Sequence, residues 1–269
     1  MPIQLTVALP MYRAKHIAWL ILEALSRQRD VNFNWELVVA EEQEPLMFGR
    51  DHIMTFKERL EARGCTRIEY IPVQKWIPLS RKWCMLAQAA SPSSEVFAFQ
   101  AADTFCHPYR LRTAFDATLG EADWSQDSKI VLYHIASGKT ILLDREVKAS
   151  WGYHKCGDNM AVKTILARSL PSQDRAAKVD MWLYLACGRA KGGALCVVWN
   201  DDENWKLGFH TKGLNNVSGY NRETFDHPKP PFRTLSYELS SVVPSGILDR
   251  LVNLRPLAQG WKVRPWSKS

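Results

Sequence analysis

The stretch Glu95-Val-Phe-Ala-Phe-Gln-Ala-Ala-Asp103, continued by Thr-Phe-Cys-His-Pro108, decides how this chain is read. A short apolar run leads to one carboxylate, and Pro108 then opens a helix bearing Leu111, Ala114 and Phe115. The pattern predicts a buried strand with Asp103 at its carboxyl end. Open α/β sheets bind ligands at that end. A lone carboxylate there suits a metal ion or a sugar hydroxyl, or it simply begins a turn.

Outward from this stretch, apolar runs alternate with helical spacings. Ile3 to Leu9 reads as a strand ended by Pro10, and Ile17, Leu20, Ile21, Ala24 and Leu25 then recur at helical spacing. Glu36–Ala40 is a second buried strand, closed by Glu41 and Glu42. Ile53, Phe56 and Leu60 mark one helix, stopped by Gly64. Arg67–Ile71 is a third strand, and Ser80 is positioned to cap a helix over Arg81–Ala90. Such alternation predicts an α/β domain with a mainly parallel central sheet flanked by helices.

The second half is less regular. Lys129–His134 and Lys139–Leu143 read as a hairpin around Ala136-Ser-Gly138. Asn159–Ser169 and Asp174–Cys187 read as helices, Ala194–Trp199 as a late strand, and Val243–Leu254 as a short helix. From Asn200 to about Arg233 no period emerges, which points to a long functional loop. The division is therefore 1–120, 121–235 with a mobile loop at 200–220, and a C-terminal extension 236–269 ending in the basic tail Lys262-Val-Arg-Pro-Trp-Ser-Lys268.

Composition bounds the function. With 269 residues, 46% of them hydrophobic, the chain can bury a large core. Its net charge of +7 favours a polyanionic partner. Eleven Trp supply either stacking surfaces or core volume. The six cysteines form no Cys-x-x-Cys pair and read as reduced thiols; a zinc site from Cys106, His107, His154 and Cys156 is the metal alternative. No apolar run reaches the roughly 20 residues of a transmembrane helix, and no signal peptide is evident, so a soluble cytoplasmic protein is expected. No Gly-x-Gly occurs, which excludes dinucleotide-fingerprint and Walker loops. Gly-x-Ser-x-Gly and His-Glu-x-x-His are missing too. A nucleotide diphosphate bound here needs another counter-charge, such as a divalent cation.

In order, these motifs resemble the GT-A-fold, family-2 type glycosyltransferases up to about Ser218. Leu5-Thr-Val-Ala-Leu-Pro-Met-Tyr-Arg13 is similar to the family's first strand, and Leu20, Leu25 and Gln28 to the helix after it. Glu36-Leu-Val-Val-Ala-Glu-Glu42 resembles the second strand, which normally ends in two aspartates. Leu79-Ser-Arg-Lys82 resembles the helix before the metal strand, and Phe97–Asp103 falls where the family places Asp-x-Asp. Asn159-Met-Ala-Val-Lys163, Val179-Asp180 and His210-Thr-Lys-Gly-Leu-Asn-Asn-Val-Ser218 are similar to the acceptor entry, the base-bearing segment and the loop over the diphosphate.

The resemblance implies a single Rossmann-like GT-A domain with a C-terminal loop and helix extension. It assigns Pro10, Tyr12 and Arg13 to the nucleotide pocket, Glu41 to the base, and Arg81 and Lys82 to the region of the diphosphate. Ala102 and Asp103 meet the donor, and Asp103 ligates Mn²⁺ or Mg²⁺ although Ala101 replaces the first Asp of the motif. His210 is a further metal ligand, with Lys212 and Ser218 assisting, and Asp180 is the general base. The implied activity is inverting transfer from a nucleotide-sugar, a UDP-sugar by resemblance, to a hydroxyl. A basic chain suits a hydroxymethylated base in DNA as acceptor; a cell-envelope or lipid-linked glycan is the alternative. Ala101 also leaves open a non-catalytic nucleotide-sugar or nucleic-acid binder.

Overall fold

The computed structural model describes residues 2–120, 122–145, 159–174, 179–200, 203–213, 222–229 and 231–260. Its centre is a seven-stranded sheet made of β1 (Leu5–Met11), β2 (Trp35–Glu42), β3 (Cys65–Val73), β4 (Val96–Phe99), β6 (Trp124–Asp127), β9 (Met160–Lys163) and β10 (Val197–Asn200). The order is β10-β6-β9-β4-β1-β2-β3. β1, β2, β3 and β4 pair in parallel, as do β6 and β10, while β9 runs antiparallel to both its neighbours.

Helices cover both faces. β1 shows why: Leu5, Val7 and Leu9 enter one core, while Ala8 enters the other. The first core takes Leu20 and Leu25 from α1 (Trp19–Leu25) and Leu111 and Phe115 from α5 (Arg110–Leu119). The second takes Trp83 and Leu86 from α4 (Leu79–Ala89), with Leu166 and Leu183 from α6 (Thr164–Arg168) and α7 (Val179–Ala190). Pro10 is tolerated in β1 because β4 pairs only as far as Ala8. Buried Glu36 is held by Thr6 Oγ1 and Ser91 N at 2.6 Å each and by Arg67 at 2.6 Å.

A second sheet of five strands adjoins the first: β5 (Thr104–Phe105), β7 (Lys129–His134), β8 (Thr140–Asp144), β11 (Phe209–Lys212) and β12 (Phe232–Thr234), in the order β12-β8-β7-β11-β5. The β7–β8 hairpin matches the sequence reading. The strands from Phe209 onward do not. That stretch was expected to be irregular and mobile, yet Phe209–Lys212 is fully buried, with Phe209 stacked on Phe105 at 5.5 Å.

Further expectations are corrected. The helix expected over Asn159–Ser169 is strand β9 followed by the short α6, because Ala161 and Val162 fill the gap between β4 and β6. Pro108 does not open its helix directly after Asp103; β5 intervenes. The helix through Ile53 and Leu60 is two pieces, α2 (Arg50–Met54) and α3 (Lys57–Glu61). Ser80 is no cap but lies inside α4, its hydroxyl donating to Gln173 O. The helix placed at Asp174–Cys187 is α7, which continues to Ala190. Ser218, His154, Cys156 and the basic tail lie outside the described residues.

Candidate functional site

The carboxyl ends of β1, β2 and β4 form one rim, and the sequence-selected residues fall along it. Tyr12 and Arg13 follow β1. Arg13 adopts φ +50°, its guanidinium 5.2 Å from the Tyr12 ring centre and its Nε donating to Glu44 at 3.0 Å. α4 brings Lys82 underneath: its Nζ donates to Met11 O at 3.1 Å, pairs with Glu42 at 2.6 Å and lies 5.5 Å from the Tyr12 ring centre. Both partners are buried. Burial pushes the Lys82 ammonium down and the Glu42 carboxyl up, and the charge of each partner opposes that shift.

Glu41 and Glu42 point to opposite faces, as successive strand residues must. Glu41 is wholly buried and accepts from Phe48 N at 2.7 Å, Gly49 N at 2.9 Å and the Tyr70 hydroxyl at 3.0 Å. Burial, then the Glu41 charge, pushes the Tyr70 phenol up to about 12, so it stays a donor. Gly49 has φ +88°, a conformation that lets the loop turn its amides onto Glu41. Glu41 thus already braces its own loop, and a base bound through it has to displace one of these donors. Arg81 is exposed and held by Asp174, Nη2 to Oδ2 at 3.1 Å, which aims it at the segment leading to α7.

Half-buried Ala102 and Asp103 occupy the turn after β4. Asp103 O accepts from both Thr211 N and Thr211 Oγ1 at 2.9 Å. One residue on, Thr104 Oγ1 meets His210 Nδ1 at 2.8 Å, and the ring is 1% exposed. β11 therefore delivers His210 and buried Lys212 beside the Asp103 turn, as the sequence reading grouped them. Among the described residues no group of three or more His, Cys, Asp or Glu converges to hold a metal ion. A carboxylate and an imidazole on these two adjoining segments are donors that Mn²⁺ or Mg²⁺ accepts, with phosphate oxygens and water completing the shell. Cys106 suits zinc poorly, since burial pushes its thiol up to about 12. The described cysteines 65, 84, 106, 187 and 196 are free.

Asp180 is half-buried in the first turn of α7, a helix anchored by Val179, Trp182, Leu183 and Ala186. The sequence reading missed a buried polar cluster farther along the same rim. Asp127, at the end of β6, accepts from Asn159 at 2.7 Å and Asn200 at 3.3 Å, with His107 at 3.9 Å. Burial opposes its ionisation, but His107, Arg110 and Asn159 together hold the carboxyl well below the usual range. No apolar run marks it in the sequence, since β6 reads Trp-Ser-Gln-Asp and gains its strand character only from its neighbours.

No family model and no curated protein matches the chain by sequence. Solved structures match by shape. S. aureus TarS 1–349 in complex with UDP-GlcNAc superposes with a TM-score of 0.60 at 12% identity, covering 81% of this chain and 62% of TarS 1–349. The same protein with UDP gives 0.57 at 11% identity, covering 78% of this chain and 61% of that one. The chain thus has the GT-A-like α/β fold expected from its sequence, and it spans under two thirds of the length of these neighbours.

Proposed function

We infer that this chain is an inverting glycosyltransferase that moves a sugar from a UDP-sugar to a hydroxyl acceptor. The observation that carries this is the pairing of β5 with β11, which gathers Asp103, Thr104, His210 and Lys212 on the same rim as Tyr12 and Lys82. The fold is shared with a protein solved with UDP-GlcNAc bound.

In this reading Tyr12 stacks on the base, and Arg13 and Lys82 place positive charge near the diphosphate. Arg81 holds the approach to α7 through Asp174. Asp103 and His210 would hold a divalent cation, which would supply positive charge for the departing diphosphate. Lys212 adds a second positive group there. Asp180 accepts the proton of the acceptor hydroxyl as its oxygen attacks the anomeric carbon, and the bond to UDP breaks on the opposite face. Exclusion of water by a closing segment prevents donor hydrolysis. The net charge of +7 supports a polyanionic acceptor, for which a hydroxymethylated base in DNA is the proposal.

Mass spectrometry of UDP-sugars incubated with hydroxymethylated DNA and a panel of envelope glycans tests both halves. Wild type should release UDP and transfer the sugar. Asp180→Asn should lose about 10²- to 10⁴-fold in turnover with UDP binding intact. Asp103→Ala should lose the cation dependence. If wild type binds UDP-sugars but turns none over, it is a binder and not an enzyme. Transfer to a glycan and not to DNA reassigns the acceptor.

A further inference from the structure

At the opposite, amino-terminal rim of the large sheet lies a surface rich in arginine. One cavity there, of about 430 Å³, is lined by Arg29, Arg63 and Arg112 together with Asn32 and a single carboxylate, Asp30. A second, of about 300 Å³, is lined by Arg27, Arg29 and Arg63 and by Leu207, Val242 and Pro244. Arg29 and Arg63 line both, so the two are neighbours along one track.

Arg27 and Arg112 are ion-paired, with Glu23 and Asp116, whereas Arg29 and Arg63 make no ion pair among the described residues. Arg29 is fixed through its backbone, N–H to Pro108 O at 2.7 Å, and its exposed side chain makes no ion pair among the described residues. Arg63 is exposed and donates Nε to Ser26 O at 3.3 Å. Glu23 is occupied by a two-point contact with Arg59, at 2.9 and 2.6 Å, and meets Arg27 only at 3.5 Å. Arg112 is steadied by Asp116 and by Asn32 at 2.6 Å.

A planar guanidinium matches phosphate in a two-point contact, and all four cations on this track are arginines. The second cavity adds an apolar wall. That wall suits the flat face of a nucleobase, whereas the hydroxyls of a phosphoglycan would find no partner on it. A duplex keeps its base faces stacked inside, so the wall favours an unpaired strand.

We propose that this rim binds a single strand of nucleic acid, with Arg29 and Arg63 on successive phosphates and the Leu207–Val242–Pro244 wall under a base. The groove goes beyond the transferase reading and does not depend on it. The eight residues of β2 separate Arg29 and Arg63 from Glu42 by roughly 25 Å at about 3.3 Å per residue, while the apolar wall borders Phe105, two residues after Asp103.

The test is fluorescence anisotropy of the full chain with a labelled oligothymidylate of about 15 nucleotides, across a salt series. Arg29→Ala with Arg63→Ala should weaken binding at least about tenfold and flatten the salt slope by about 1.4, at about 0.7 per lost single-strand phosphate contact. Arg29→Ala alone, at an exposed unpaired side chain, should show half that slope change and guards against misfolding of the double variant. Val242→Asp should weaken oligonucleotide binding more than binding of inorganic polyphosphate. UDP affinity, measured on the arginine variants, should not change. Wild-type affinity and slope in the arginine variants would overturn the proposal. So would tighter binding of a duplex, or polyphosphate binding as tight as the oligonucleotide and indifferent to Val242→Asp.

Discussion

Lys82 and Glu42 form a buried ion pair directly beneath Tyr12. Removing one member of such a pair strands the other charge, at a cost of about 3–5 kcal/mol. Lys82→Met should therefore lower the urea midpoint substantially at pH 7. The deficit should shrink toward pH 5, since burial already raises the Glu42 carboxyl and the orphaned group takes up a proton. Asp127 has the opposite sign. Its folded pKa lies below the unfolded value of about 3.9, so its stabilisation is complete above that value and is lost as pH falls further. Asp127→Asn should flatten that acid limb in stability measured by circular dichroism. Single residues were only partly legible in the sequence. Glu41 and Glu42 read as one acidic strand end, yet the alternation of a strand sends one to Tyr70 and its own loop and the other to Lys82. The partners that define each lie 29 and 40 residues away in the chain, beyond the reach of any local pattern.

At the level of elements, β1, β2 and β4 were legible because parallel strands covered on both faces are largely continuous apolar runs. β9 was not, since Met-Ala-Val-Lys carries no period of its own and becomes a strand only between β4 and β6. β11 was hidden for the same reason: His, Thr and Lys look like loop residues until Phe209 is seen stacked on Phe105. The junction of β5 and β11 depends on Gly208. A Cβ there would stand 2.8 Å from both His107 N and Phe105 O, which are backbone atoms that cannot swing aside. Gly208→Ala should cost about 1–3 kcal/mol through overpacking. It should also weaken UDP binding, because the forced separation shifts the Asp103 turn against His210. Isothermal titration with UDP, paired with urea unfolding, checks both effects.

At the scale of the molecule, one sheet serves two cores, with Leu20 buried on one face and Leu86 on the other. Leu20→Ala and Leu86→Ala should each cost about 2–5 kcal/mol. Because the two cores share the same strands, each substitution should shift a single transition seen alike by tryptophan emission and far-ultraviolet circular dichroism. Tryptophan reports from both faces, since Trp35 belongs to the first core and Trp83 and Trp124 to the second. The tryptophans of these cores, Trp19, Trp35, Trp83, Trp124, Trp182 and Trp205, fill volume, while Trp76 is exposed.

The bonds from Thr211 to the Asp103 carbonyl span 108 residues of chain, and that from Thr104 to His210 spans 106. Contacts so distant in sequence carry a large loop-closure cost and form late in folding. On a ribosome the Asp103 turn emerges roughly 5–20 s before β11, at about 5–20 residues per second, and waits without its partner. The nascent chain thus holds the parallel strands first and acquires the arrangement around Asp103 only as β11 docks.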